Sequence, residues 1–220
     1  MYSFTEENYI KAIYKLQEKS GISVNTNAIA EIMQTKAASV TDMIKKLSEK
    51  KLLSYAKYKG VELTETGRKM ALEMIRKHRL WETFLYDKLN FSWDEVHDIA
   101  EQLEHIKSTK LIDCLDEFLG FPENDPHGDP IPGKNGLIQR IELYKVSELG
   151  IGEFGVISGV VNHSSLFLQH LEKNQLVLGK GIEIVSKSDF DQSLRIKIEG
   201  GIPIMISNEV ARNVLLKKSR

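Results

Sequence analysis

The 220-residue sequence predicts a mainly α-helical protein that ends in a β-rich domain. Three observations carry this: a 3.6-residue apolar period runs to about residue 119, a Pro- and Gly-rich stretch interrupts it, and alternation of apolar and polar residues follows. With 41% hydrophobic residues the chain can bury a core. No apolar run approaches the roughly 18 residues that would span a bilayer, so no membrane association is expected. The opening MYSFTEENYIKAIYKL carries acids where a secretory leader has basic residues, so a cytoplasmic location is expected. The single cysteine, Cys114, lies in the apolar stretch LIDCLDEFL and is expected to pack as core.

The first helix is expected over residues 4 to 19, with Tyr9, Ile10, Ile13, Tyr14 and Leu16 on one side and Thr5 as its N-cap. A second, short helix follows from Asn25 to Met33, then the break Gln34-Thr35-Lys36, then a third from Ala37 to Lys50. That third helix buries Val40, Met43, Ile44 and Leu47 and turns small, polar and basic residues outward. A short helix, a tight turn and such a second helix form the helix-turn-helix pattern. The segment LLSYAKYKGVELTETGR reads as two strands around Lys59-Gly60, a wing, after which Thr64 can cap another helix. Helical periodicity then continues almost unbroken from Gly67 to Leu119, apart from Asn90 to Asp94, where Ser92 can cap the next helix ahead of Glu95.

The stretch FPENDPHGDPIPGKNG, with four prolines and three glycines, reads as a linker. Beyond it FGVISGVV, GIEIVSK, LRIKIEG and IPIMIS alternate as strands of a small barrel or sandwich, with helices near Ser164 to Lys173 and Asn208 to Leu216. The expected domains are 1–70, a winged helix; 71–135, a helical domain; and 136–220, a β-rich domain.

Charge divides along the same line. Residues 1–80 hold 15 Lys and Arg against 9 Asp and Glu, and the remainder holds 15 against 22. A basic half suits a polyanion and an acidic half can hold cations.

The middle domain concentrates metal-competent side chains: His78 and Glu82 in KHRLWETFL, and His97, Glu101, Glu104 and His105 in VHDIAEQLEH. On one continuous helix at about 100° per residue the latter four point near about 0°, 40°, −20° and 80°, a single flank. Carboxylates and imidazoles on a packed face are costly unless a cation neutralises the acids and uses the imidazole lone pairs. Oxygen and nitrogen donors without thiolate favour Mn²⁺ or Fe²⁺, and Zn²⁺ or Co²⁺ would bind such a site in vitro. The competing reading is a solvated acidic face with ordinary half-buried histidines.

The segments EENYIKAIYKL, ASVTDMIKKL, LTETGR, RKHRLWETFL, VHDIAEQLEH and PHGDPIPG, in this order, resemble the iron- and manganese-dependent repressors of the DtxR/MntR family. The resemblance covers about the first 135 residues, and the C-terminal segment is similar in pattern to the SH3-like (FeoA-like) domain of the family's longer members. It implies a winged helix-turn-helix, a helical dimerisation and metal-binding domain and an SH3-like barrel. The implied function is a homodimeric, metal-dependent repressor that binds double-stranded operator DNA of metal-ion uptake genes.

Carried over by position, the resemblance implies a primary metal site of Asn8, Glu101, Glu104 and His105 and a second site of His78, Glu82 and His97, with His163 as a further ligand. The iron-responsive branch has cysteine at the position of Glu101, so the glutamate here tilts the expectation toward Mn²⁺, a harder ion. Asn8 departs from the Asp or Met of known members, and Lys11 stands where manganese-responsive members carry an acid. On the DNA-binding side Lys36, Ser39, Thr41 and Asp42 are candidates for base or groove contacts, and Lys45, Lys46, Tyr58 and Lys59 for phosphate. Asp42 could instead face Lys45 or Lys46. Leu111, Ile112, Leu115, Phe118 and Leu119 are expected at the dimer interface or in the core.

No enzymatic activity and no small organic substrate are expected. The alternatives at this stage are a carboxylate/histidine metalloenzyme, which calls for a second Glu-x-x-His helix that the sequence lacks, a winged-helix regulator of an organic ligand, and a constitutive DNA binder.

Overall fold

A computed structural model describes residues 2–218 apart from 22, 57–59 and 140. The chain folds as two units. The first comprises Met1–His78, Glu101–Lys110 and Pro132–Ile138, and the second Arg79–Ala100, Leu111–Ile131 and Gln139–Arg220.

In the first unit α1 (Phe4–Ser20) is capped by Ser3 and not by Thr5. The Ser3-x-x-Glu6 spacing closes a capping box, in which Ser3 Oγ accepts from the Glu6 amide and Glu6 Oε2 accepts from the Ser3 amide, two bonds that Thr5 could not have made together. Asn25 caps α2 (Thr26–Ile32) by accepting from the Ala28 amide. The recognition-type helix α3 (Ala37–Glu49) buries Val40, Ile44 and Leu47. The wing is an antiparallel hairpin of β1 (Leu53–Ala56) and β2 (Gly60–Leu63), in register Leu53 to Leu63. Thr64 caps α4 (Glu65–Leu89) as expected, its hydroxyl accepting from the Gly67 amide. Gly67 is required there, since a Cβ would lie 1.9 Å from the Leu52 carbonyl oxygen. Ile10, Ile13, Tyr14, Ile29, Val40, Ile44, Leu47, Leu52, Val61 and Ala71 form one core.

Two expectations about the middle of the chain are corrected. Helix α5 spans only Val96–Leu103 and α6 begins at Thr109, so Glu104 and His105 lie in a turn and not on a continuing helix flank. Both side chains are held there by partners from elsewhere in the first unit, which outweighs local helical preference. Cys114 is exposed and not core, because α6 (Thr109–Phe118) buries Ile112, Leu115 and Asp116 on its other side. Leu111 and Phe118 are exposed large apolar residues.

The second unit contains a six-stranded antiparallel sheet, in order β3-β8-β4-β5-β6-β7. Its strands are β3 (Tyr144–Lys145), β4 (Phe154–Val160), β5 (Gly181–Lys187), β6 (Leu194–Ile198), β7 (Pro203–Ile206) and β8 (Val214–Lys218). The expected strands are present, and α7 (Ser165–Lys173) lies where a helix was expected. The last helix, α8 (Asn208–Asn213), stops short of Leu216, and the chain continues as β8 between β3 and β4. Val214 and Leu216 are thereby buried on the sheet's inner face. Among the described residues no helix is long and apolar enough to cross a membrane.

Candidate metal centres and nucleic-acid interface

In the first unit the capping box fixes the start of α1 and so the direction of its next residues. Glu7 Oε2 lies 2.7 Å from His105 Nδ1, and the His105 ring stacks on Phe4 with centroids 4.4 Å apart. Lys11, one turn further along, donates to Glu101 Oε1 at 2.7 Å and to Glu104 Oε1 at 2.5 Å. The other oxygen of Glu104 lies 2.7 Å from His78 Nδ1. Glu104 is 1% exposed and His105 9%.

Asn8 Oδ1 is buried and has no hydrogen-bond partner among the described residues, a cost of about 1–3 kcal/mol for an acceptor taken from water and given nothing. An orphaned amide oxygen on the same stretch of α1 as the Lys11 contact, two carboxylates and imidazole nitrogen form a donor set that fits a hard divalent ion.

A second set lies in the other unit, where Glu82, Asp125 and His127 are all buried and offer ligand atoms within 4.8 Å of one another. His127 Nε2 lies 2.7 Å from the Trp93 carbonyl oxygen, which can only accept, so that nitrogen carries the proton. In the neutral ring Nδ1 then presents a lone pair, 3.8 Å from Glu82 Oε1. Two acceptors facing each other in a buried place call for a cation between them, and an imidazole fixed through its far N–H is the usual arrangement of a metal-binding histidine.

Burial, with Glu82 and Asp129 nearby, pushes the Asp125 carboxyl well above its ordinary range, against the pull of Arg79. His97 Nδ1 is 3.1 Å from Glu82 Oε1. His163 stacks on His127 with centroids 4.9 Å apart, and burial lowers its pKa. The loop that carries His127 is tied by Asp125 Oδ1, which accepts from the His127 and Asp129 amides.

Of the residues expected at a metal, Asn8, Glu101, Glu104 and His105 stand in the first unit together with His78, whose Nδ1 lies 2.7 Å from Glu104 Oε2. Glu82, His97 and His163 stand in the second. Asp125 and His127 are not among the ligands expected from the sequence, where DPHGDP reads as a linker and a family segment, and neither is Glu7 as the partner of His105. The signal for the former was available: Asp-x-His amid turn-forming residues presents both side chains from one short loop.

Of the residues expected at DNA, Lys36, Ser39, Asp42 and Lys45 are exposed, and Thr41 is half-buried with its hydroxyl donating to the Ala37 carbonyl. Asp42 faces Lys45 at 3.8 Å. Lys46 lies 3.1 Å from the buried Glu6, so its charge is already partly engaged within the protein. Tyr58 and Lys59 lie outside the described residues.

A helix-turn-helix with a hairpin wing, joined in one chain to two buried sets of oxygen and nitrogen donors, defines a metal-responsive DNA-binding regulator. Residues 1–61 match the iron dependent repressor N-terminal DNA binding domain, residues 64–133 the iron dependent repressor metal binding and dimerisation domain, and residues 144–218 the FeoA domain. The chain is 36% identical over 129 residues to the iron-dependent repressor IdeR of Mycobacterium tuberculosis (strain ATCC 25618 / H37Rv), an alignment covering 59% of this chain and 56% of that relative. It thus spans little more than half of that relative's length. Similarity to the diphtheria toxin repressor of Corynebacterium glutamicum is 28% over 97% of this chain and 96% of the relative.

Among solved structures, a manganese-dependent transcriptional repressor in complex with manganese superposes with a TM-score of 0.85 at 32% identity, over 97% of this chain and 100% of that one. ScaR with bound Cd²⁺ gives 0.77 at 31%, over 97% and 99%. The chain belongs to the iron-dependent repressor family, metal-dependent DNA-binding transcriptional repressors with a dimerisation domain.

Proposed function

We propose that this protein is a cytoplasmic, manganese-responsive repressor that, as a homodimer, binds the operators of metal-ion uptake genes. The observation that carries the choice of metal is the donor chemistry. The first set offers carboxylate, amide and imidazole groups and the second carboxylate and imidazole, neither with a thiolate, and Glu101 stands where a soft ligand would favour iron. The manganese-dependent repressor that shares this fold points the same way.

In the proposed first site Asn8, Glu101, Glu104 and His105 hold the ion with His78 beside them, and in the second Glu82, Asp125 and His127 do so with His97 and His163 alongside. Bound in the first site, a divalent ion would supply positive charge that neutralises the carboxylates, and Asn8 of α1 would hold it together with Glu104 and His105 of the turn after α5. Glu7 orients the His105 ring, and Glu6 ties the same end of α1 to Lys46 and Lys50 at the end of α3. Fixing α1 therefore fixes α3, and two such helices in a dimer read a near-palindromic operator only when spaced by about 34 Å or a multiple. Ser39 and its neighbours on the exposed face of α3 then meet the groove, with Lys36 and Lys45 close to phosphate.

Fluorescence anisotropy of a labelled promoter fragment from a metal-uptake gene, at fixed salt, tests the reading with chelator-stripped protein titrated with Mn²⁺ and with anaerobic Fe²⁺. Binding that appears with Mn²⁺ at lower concentration than with Fe²⁺, and is lost in Glu104→Ala, is expected. Binding indifferent to chelator would reject metal activation, and tighter activation by Fe²⁺ would reverse the metal assignment.

A further inference from the structure

We infer that Lys11 is a resident counter-cation of the first metal site, which the activating ion must displace, so that this lysine sets the metal concentration at which the protein responds. The inference rests on the reading of Glu101, Glu104 and His105 as ligands, and goes beyond it by giving a role to a residue that cannot itself ligate as an ammonium.

The geometry is specific. Lys11 is buried, at 6% exposure, although lysine is among the residues least often found inside. Its Nζ lies 2.7 Å from Glu101 Oε1 and 2.5 Å from Glu104 Oε1, bridging the two carboxylates as a small cation would. With His78 Nδ1 on its other oxygen, Glu104 has both of its oxygens engaged. Asn8 Oδ1, three residues earlier and therefore on the same face of α1, is the buried acceptor left without a partner. The ammonium thus satisfies the carboxylate part of the donor set and leaves the amide part unsatisfied.

Two consequences follow. In this structure Lys11 joins α1 to Glu101 and Glu104, the same segments that metal would join, so that the buried Glu104 and half-buried Glu101 carboxylates do not stand uncompensated. A divalent ion, in turn, cannot share those oxygens with an ammonium at contact distance, because the like charges repel in a poorly solvated place. Binding must therefore include breaking both Lys11 bonds, which weakens the apparent affinity. The weakening would come from a charge within the chain and not from poor ligands.

The test is Mn²⁺ binding to the full-length protein, counted from the free-ion EPR signal, in wild type, Lys11→Met, Lys11→Gln, Lys11→Arg and Glu104→Gln. Methionine keeps the length of the side chain without its charge, and arginine keeps the charge. The ions lost in Glu104→Gln identify the first site. For that class Lys11→Met and Lys11→Gln are expected to bind at least about tenfold more tightly, roughly 1.4 kcal/mol, while Lys11→Arg stays near wild type.

Urea unfolding gives a second readout. Metal-free Lys11→Met is expected to be less stable than wild type and to match it once saturated with Mn²⁺, or, at the limit, to fold only with the ion. Unchanged or weaker Mn²⁺ binding in both neutral variants would overturn the role of Lys11 while leaving the site intact. Wild-type binding that Glu104→Gln does not alter would instead overturn the site itself, and the inference with it.

Discussion

Glu6 offers the most direct test of how the first helix is held. It is 1% exposed; its Oε2 accepts from the Ser3 amide at 2.9 Å, and its Oε1 lies 2.6 Å from Lys50 Nζ and 3.1 Å from Lys46 Nζ. Burial alone would raise its pKa, but the bonds from Lys50, the Ser3 amide and Lys46 outweigh it and bring the carboxyl from 4.5 down to about 2. At about 1.4 kcal/mol per pH unit that difference corresponds to roughly 3 kcal/mol. The lysine side chains are 34% and 53% exposed, so solvent screening should leave about 1–2 kcal/mol of it.

The perturbation is Glu6→Gln, which keeps an oxygen for the Ser3 amide and removes the charge. Because the folded pKa is depressed, the contribution is complete above about pH 5 and disappears as pH falls through 4.5 toward 2. Urea unfolding of metal-free protein, followed by far-UV circular dichroism, should therefore show Glu6→Gln destabilised by about 1–2 kcal/mol at pH 7. The gap to wild type should narrow steadily from pH 5 to pH 3. A gap that is absent at pH 7, or that stays constant down to pH 3, would refute the assignment of the stabilisation to the ionised carboxylate.

Two further predictions concern the second unit. Asp125→Asn keeps Oδ1 for the two loop amides but removes one of two buried like charges. Metal-free stability should hold or rise, and the protein should bind one Mn²⁺ fewer. At Mn²⁺ near 100 times Kd a bound ion stabilises by about 2.7 kcal/mol, so about 5–10 °C of the metal-induced rise in Tm should vanish in differential scanning calorimetry, and an unchanged rise would exclude Asp125 as a ligand. Gly128→Ala should cost at least about 3 kcal/mol, since φ is +86° and the new Cβ would lie 2.1 Å from the Ser158 carbonyl oxygen. Both tryptophans, Trp81 and Trp93, lie in the second unit, so their fluorescence during urea unfolding reads that loss, and a change below about 1 kcal/mol would mean that the loop relaxes freely.

Much of this was legible in the sequence because the deciding signals were local. Val40, Ile44 and Leu47 repeat at helical spacing, Thr64 announces its helix, and the alternation in LRIKI predicts β6. Where reading failed, a distant partner decided. Val210 and Val214 are four residues apart, as in a helix, yet the chain turns extended at Val214 because β8 completes the sheet between β3 and β4. Glu104 and His105 have the phase of one helix flank, but their places are set by Lys11 and Glu7, more than ninety residues earlier. His127 was hidden because proline and glycine dominate its surroundings, and only the fold shows that its Nδ1 faces Glu82.

The first two turns of α1 join these threads. Within six residues Glu6 reaches α3, Glu7 holds His105, Asn8 presents an unsatisfied oxygen and Lys11 bridges Glu101 and Glu104. On a helix these residues move together, since rotating or shifting α1 to satisfy one of them displaces the rest by a similar amount. Glu6 is set firmly by three bonds, two of which join the end of α3 to α1. The variable contacts are then those on the other side, where an ammonium and a divalent ion make different demands on the same carboxylates. A shift of α1 toward the Asn8 contact and away from the Lys11 contact would carry α3 with it. Metal sensing would need no long pathway through the protein, only a rigid helix with one end bound to the reader and its next turn bound to the site.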